Sequence, residues 1–328
     1  MNAITRWLRS GTTILAALLV LAGPARGQAW PERPVRLLVP LGPGSGADVT
    51  ARLLADRLSQ RWHQPVVVEN RPGADGIVGI TAFLVAANDH TLLYTATGAF
   101  TSHPFLYENL PYDQNDLIPV ARVTNTVISV AVPASLGAAS LKELMGMVRG
   151  GQRPFYWSSV TGATDVVFSG FLKDEGVGMV RVPYRQPGQA VSDLAAGRID
   201  VLVSAVVTVR AQVSTGAVRL LALLNHERAP AVPDVPTAAE AGYPNLAFDG
   251  LAGLFTTRVL AMPVRERIAG DVRAIMDDTE IAAKIAATGQ IVSFGGPDEF
   301  SASIAAQRAQ FAAIGKALDL KPQPLPAH

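Results

Sequence analysis

Residues Pro40 to Leu54 read PLGPGSGADVTARLL, a turn of prolines and glycines that carries a serine and an aspartate into an amphipathic helical pattern. Three chemistries compete for such a loop. A phosphate-binding loop needs GxxxxGK[ST], because the lysine reaches the phosphates and the hydroxyl holds magnesium, and no lysine follows Gly46. A nucleophilic serine elbow needs glycine two places before the serine, where Ser45 has Pro43. A dinucleotide fingerprint ending in alanine is met by Gly42, Gly44 and Ala47, with Glu69 as an acid about twenty residues on. More generally, backbone N–H groups at a helix start suit any anion, a carboxylate included. The plainer reading is a tight turn with Asp48 capping the helix or lying in its first turn. The loop alone leaves both open.

Elsewhere the reactive side chains are sparse. His63, His90, His103, His226 and His328 are scattered, with no HExxH and no helical pair, so each reads as a surface or capping residue. The sequence shows neither a metal site nor a catalytic triad, and it calls for no cofactor. With no cysteine, the chain gains no disulfides and must be stabilised by packing.

The elements that must position the loop alternate between strand and helix patterns, which predicts an α/β fold with largely parallel sheets. Strands are expected at Val35 to Val39, Val66 to Glu69, Thr91 to Thr95, Val127 to Val132, Gly178 to Val182, Val201 to Ser204 and Leu220 to Leu223. Helices are marked by Val49, Leu53, Leu54 and Leu58, by Leu141 to Leu144, by Gln189 to Ala196 and by Val264 to Met276. No period of 20 to 50 residues repeats.

At 328 residues, 49% hydrophobic and 17% charged, the chain suits a large core and about two domains. A formal charge of +1 without a basic run argues against nucleic acid as a partner. Arg6 and Arg9 precede an apolar stretch, Ile14 to Leu21, and Ala25-Arg26-Gly27 offers a cut ahead of Gln28. This predicts a cleaved secretory signal peptide at residues 1–27, since the apolar run is far below the ~18 to 20 residues of a spanning helix. Its removal takes three arginines and no acid, leaving 25 basic against 27 acidic residues and a formal charge of −2. The mature protein is then expected in the periplasm.

In family order, the chain carries WPERPVRLLVPLGPGSGADVTARLLADRL, QPVVVENRPGADGIVG, HTLLYTATGAF, HPFLYENLPYD, VPYRQPGQAVSDLAAGRIDVL and VPDVPTAAEAGYP. This succession resembles the Bug family, the periplasmic receptors of tripartite tricarboxylate transporters. The resemblance implies a two-lobed type II periplasmic binding protein fold, with a ligand cleft between lobes joined by crossing strands near Val127 to Pro133 and Phe248 to Phe255. Lobe one would comprise residues 28–128 with 250–328, and lobe two residues 129–249. The implied function is capture of a small carboxylate or related polar metabolite by a monomeric receptor, without enzymatic activity, and its delivery to permease subunits. A sensory protein docking on a sensor kinase, and an exported Rossmann-type enzyme, are the alternatives.

Carried over residue by residue, the resemblance puts Gly44, Ser45, Gly46, Ala47, Thr97 and Gly98 on one side of the cleft. Ser158, Ser159, Thr161, Gly162 and Thr164 would face them from the start of another helix. Three departures stand out. Ser204-Ala205 replaces the family's Asp-Asn, which argues against an amino-acid ligand. Ser45 replaces a glycine and adds a hydroxyl. Phe155-Tyr156-Trp157-Ser158-Ser159-Val160 replaces a YASAG-like run, with Val166 where a histidine usually stands, and Trp157 is a candidate for stacking on a ligand or for the core. Tyr184 and Arg185 are candidates for the cleft or a solvated face, and Asp193 reads as a surface partner.

Overall fold

The computed structural model describes residues 30–159, 162–184 and 186–325; the predicted signal peptide, Thr161 and Arg185 lie outside the described residues. From the first described residues the chain builds β1 (Val35–Val39), α1 (Gly46–Trp62), β2 (Val66–Asn70), α2 (Ile77–Ala86), β3 (Thr91–Ala96), and two short turns of helix, α3 (Gly98–Thr101) and α4 (His103–Leu106). β4 (Ile118–Thr126) then leads through Val127 directly into β5 (Ile128–Pro133), which lies in a different sheet. The second sheet is completed by α5 (Leu141–Gly150), β6 (Tyr156–Ser159), α6 (Gly162–Asp174), β7 (Val180–Arg181), α7 (Pro187–Ala195), β8 (Val201–Ala205), α8 (Val206–Ser214) and β9 (Val218–Leu223). Finally β10 (Gly250–Thr256) returns to the first sheet, followed by α9 (Met262–Met276), α10 (Thr279–Ala287), β11 (Gln290–Gly295) and α11 (Pro297–Leu318).

Both sheets are built alike. In the first, ordered β11-β4-β10-β3-β1-β2, β1 runs parallel to β2 and β3 while β10 and β4 run antiparallel to their neighbours. In the second, ordered β7-β6-β8-β5-β9, β6 runs parallel to β7 and β8 while β5 is antiparallel to β8 and β9. The strands at the two crossings, β4 into β5 and β9 into β10, all lie in antiparallel pairs. Helices cover both faces of each sheet, which is why β5 is buried at every position and β1 at every position but Arg36.

Local signals explain the elements. α1 buries Ala51, Leu54, Ala55, Leu58 and Trp62 on one face, begins at a Ser45 cap and stops at His63 in the left-handed conformation. α5 starts with a cap at Ser140, whose Oγ accepts from Glu143 N at 3.1 Å, and stops at Gly151. α11 belongs to both halves: Phe300 packs among the core residues of the first sheet, and Phe311 among those of the second.

Strand β10 shows how close the layers pack. A methyl group added at Gly253 would lie 2.3 Å from Ala121 O and 2.6 Å from the Phe300 ring, both in the packed core. Gly253→Ala is therefore expected to lower unfolding stability by about 2 to 3 kcal/mol, read as a lower urea midpoint. Gly270→Ala, on the exposed face of α9 with open space around it, is expected to be stabilising by about 1 kcal/mol.

Candidate functional site

The glycine loop already holds an anion, and the anion is its own. Asp48, almost fully buried, accepts from Gly44 N at 2.9 Å, from Asn70 Nδ2 at 2.8 Å and from Arg52 Nε at 3.1 Å. Ser45 Oγ in turn accepts from Asp48 N at 3.2 Å. Burial alone would raise the Asp48 carboxyl, but the bonds from Arg52, Gly44 and Asn70 outweigh it and hold its pKa below the usual value. Gly46 abuts β11, since a Cβ there would sit 2.8 Å from Gln290 Nε2. Glu69 is held by Arg36 and by Arg71 on the surface.

A cavity of about 260 Å³ lies between the two sheets. The first lobe lines it with Pro40 and Leu41 after β1, Asp75 and Gly76 after β2, and the segment from Thr95 to His103. The crossing segments contribute Thr126, Ile128 and Phe248 to Leu251, and the second lobe Ala163, Thr164, Ser204, Ala205 and Thr208. Of the residues carried over from the sequence, Thr97, Gly98, Thr164 and Ser204 form this wall. The wall does not include Gly44, Ser45, Gly46 or Ala47, nor Ser158, Ser159 and Gly162. Ser158 is buried at the end of β6, and Trp157 packs in the core with its ring 4.9 Å from Phe168. Tyr184 donates to Asp193 Oδ2 at 2.8 Å.

Asp75 was not singled out by sequence, and His103 was read as a surface or capping residue; both line the cavity, and His103, like His90, is buried. Asp75 has φ 54° and follows Ala74 at φ 46°, two left-handed residues in succession that turn the chain toward the cleft. Tyr107 donates to Asp75 Oδ2 at 3.4 Å, and His103 Nε2 lies 3.4 Å from the same oxygen. Burial, then the Asp75 charge, push the Tyr107 hydroxyl up to about 12, so it stays protonated. His103 Nδ1 is 2.7 Å from the Tyr112 hydroxyl. The Tyr112 hydroxyl carries one proton and also lies 3.4 Å from Ala99 O, so it either donates there and accepts from Nδ1–H, or donates to Nδ1 and leaves Nε2–H directed at Asp75. The available signal was position: ADG and HPFLY lie in loops following strands, where a two-lobed fold gathers its ligand contacts.

Behind the cavity, buried amides fix the crossing segments. Asn225 accepts from Ile128 N at 2.9 Å and donates to Thr126 O at 2.9 Å and to Asn125 Oδ1 at 2.8 Å. Asn125 donates to Asp249 Oδ1 at 2.7 Å, and His226 Nδ1 lies 2.9 Å from Asp249 Oδ2. From α11, Gln307 donates to Asp249 O at 2.6 Å and accepts from Thr97 Oγ1 at 2.7 Å. The lobes also meet at their rims: Arg210 on α8 donates to Ala287 O at 2.7 Å, and Leu106 closes against Gly162, where a Cβ would be only 2.7 Å away. Among the described residues no cluster of three or more His, Asp or Glu side chains could hold a metal, and no helix is long and apolar enough to cross a membrane.

Residues 50–320 match the model of the tripartite tricarboxylate transporter family receptor. A UPF0065 protein of Bordetella bronchiseptica is 30% identical over 95% of this chain and 94% of its own. Protein BugT of Bordetella pertussis is 33% identical over 70% of this chain and 72% of its own. Among solved structures, R. palustris Rpa4515 with adipate superposes with a TM-score of 0.78 at 26% identity, over 90% of this chain and all of the other. MatC from Rhodopseudomonas palustris with bound malate gives 0.72 at 25% identity, over 87% and 99%. The fold is that of the two-lobed type II periplasmic binding proteins.

Two outcomes test this geometry. Asp48 titrates below its unfolded value of ~3.9, so its contribution is complete above about pH 5 and is lost as pH falls through the folded pKa. Asp48→Asn should cost about 1 to 3 kcal/mol at pH 7, and the difference from wild type should shrink as unfolding is measured below pH 4. Asn225→Ala strands Ile128 N and Thr126 O and should cost about 3 kcal/mol, while small-angle scattering reports a broader spread of lobe separations.

Proposed function

The chain belongs to the tripartite tricarboxylate transporter receptor family, and from that premise we propose that it captures a small carboxylate between its lobes and delivers it to a membrane transporter. It is a solute-binding protein and not an enzyme. The observation that carries the reading is the cavity walled jointly by both lobes and by the segments that cross between them. A pocket built this way exists only when the lobes are together, so a ligand that fits it shifts the population toward closure. The adipate and malate complexes of the two Rhodopseudomonas proteins support a carboxylate.

In this reading Gly98, Thr164 and Ser204 contact the ligand directly or through water, which is enthalpically nearly equivalent. Thr97 acts differently, because its hydroxyl proton is committed to Gln307 and ties the cleft wall to α11. Gly44 to Ala47 set the loop whose Pro40 and Leu41 reach the cavity. Residues 1–27 direct a monomeric receptor to the periplasm and are cleaved before Gln28.

Titration calorimetry with mono-, di- and tricarboxylates should give at least one saturable ligand, with a smaller radius of gyration on binding. Thr208→Phe, which fills the cavity from a half-buried position on α8, should weaken that ligand at least tenfold and leave the melting temperature unchanged. Binding undiminished by this substitution would place the ligand elsewhere, and the absence of any carboxylate ligand would remove the assignment.

A further inference from the structure

The C-terminal tail is tied to both lobes. α11 begins on the first lobe, but its second half lies on α6 of the second, so closely that a Cβ at Gly170 would be 2.7 Å from Ile314 Cγ2. Ile314, Leu318 and Leu320 pack against the core of the second sheet, and Lys173 on α6 donates to Ala317 O. The helix then ends in a tight turn: Asp319 takes a left-handed φ of 50°, its N–H bonds to Lys316 O at 3.3 Å, and Leu320 N reaches back to Gly315 O at 2.9 Å. Beyond this turn the chain meets the first lobe again, where a half-buried Leu325 packs against the core that holds Phe100 and Phe300.

Between those anchors the sequence reads Pro322-Gln323-Pro324. Prolines have no N–H, and a residue ahead of a proline is held extended, so Gln323 supplies the only donor of the three on a backbone already straightened. Gln323 N donates to Leu106 O and Glu108 N donates to Gln323 O, each at 2.8 Å, which makes a parallel bridge centred on Tyr107. The Gln323 side chain takes no part in it, since Nε2 donates to Lys321 O within the tail. The bridged residues stand at the seam between the lobes: Leu106 abuts Gly162 of the second lobe, and Tyr107 donates to Asp75. Only three residues separate the Leu320 anchor from Gln323, a reach of about 10 Å at full extension. The second lobe therefore cannot draw far from residues 106–108 unless one end of the tail lets go.

We propose that this tail is a further tether between the lobes, beyond the two crossing segments, and that Gln323 is its positioning residue, holding residues 106–108 at the seam through its backbone and limiting how far the cleft opens. The test reads the tether without a ligand. In hydrogen exchange of the mature protein, two variants should each speed exchange of residues 103–108 about tenfold: Gln323→Pro, whose ring suits an extended backbone but removes the donor, and a chain ending at Lys321. Gln323→Ala keeps both backbone groups and should match wild type. The native chain has no cysteine, so Lys142→Cys on α5 and Glu266→Cys on α9, both exposed and one on each lobe, can carry a pair of spin labels. The distribution of label separations should widen about twofold toward longer distances in Gln323→Pro and in the shortened chain, with the melting temperature unchanged, because the tail is exposed and lies after the last helix. Wild-type exchange at residues 103–108, or faster exchange there with wild-type label separations, overturns the inference. So does Gln323→Ala behaving like Gln323→Pro, or loss of the fold in both tail variants, which would make the tail part of the core. None of these outcomes bears on the receptor reading, since no ligand is present.

Discussion

One buried amide group holds the two halves in relation. Asn225 bonds at once to Ile128, the first residue of the second sheet on the way out, and to Thr126, the last residue of the first sheet. Val127 between them bonds in both directions, its N–H to Gly289 O at 3.1 Å and its carbonyl to Val206 N at 2.8 Å. A strand cannot leave one sheet for another without exposing ladder groups at the step, and here every such group at the step has a partner. The cost of stranding any of them makes the crossing well defined.

That constraint explains where charge sits. The loop after β1 is formed as an anion cradle and spends its capacity on Asp48, which leaves a rigid platform in place of a vacant anion site. The loop after β2 instead leaves Asp75 exposed at the seam between the lobes, with the Tyr107 hydroxyl and His103 Nε2 each 3.4 Å from Oδ2. The first arrangement stabilises the lobe.

Much of the architecture was legible in residue patterns. β1, β2, β3, β8 and β9 lie where apolar runs bounded by turn residues place them, and α1 begins at its serine cap. Strands that periodicity did not mark have physical reasons. β10, GLAGLFT, carries glycine where a neighbour's backbone approaches within contact, and β6 has only four residues. β11 follows two helices in a stretch that reads as continuous helix, and its interior residues are only half buried, so no apolar run announces it. The helix α11 looks generic because its faces serve two different cores in succession.

Composition, strand patterning and the ordered local signatures were enough to determine the fold class and the family, because each depends on short-range order along the chain. The wall of the cleft was another matter. Thr97, Gly98, Thr164 and Ser204 meet there, while the glycine loop turned inward to its own aspartate and Trp157 into the core. Asp75 and His103 were invisible as a pair because 28 residues separate them in sequence and only the stacking of β1, β2 and β3 brings their loops to one edge. Which carboxylate is buried and paired, and which stays exposed at the seam between the lobes, is decided by the partners that tertiary packing brings within bonding distance, and that is information a linear pattern does not contain.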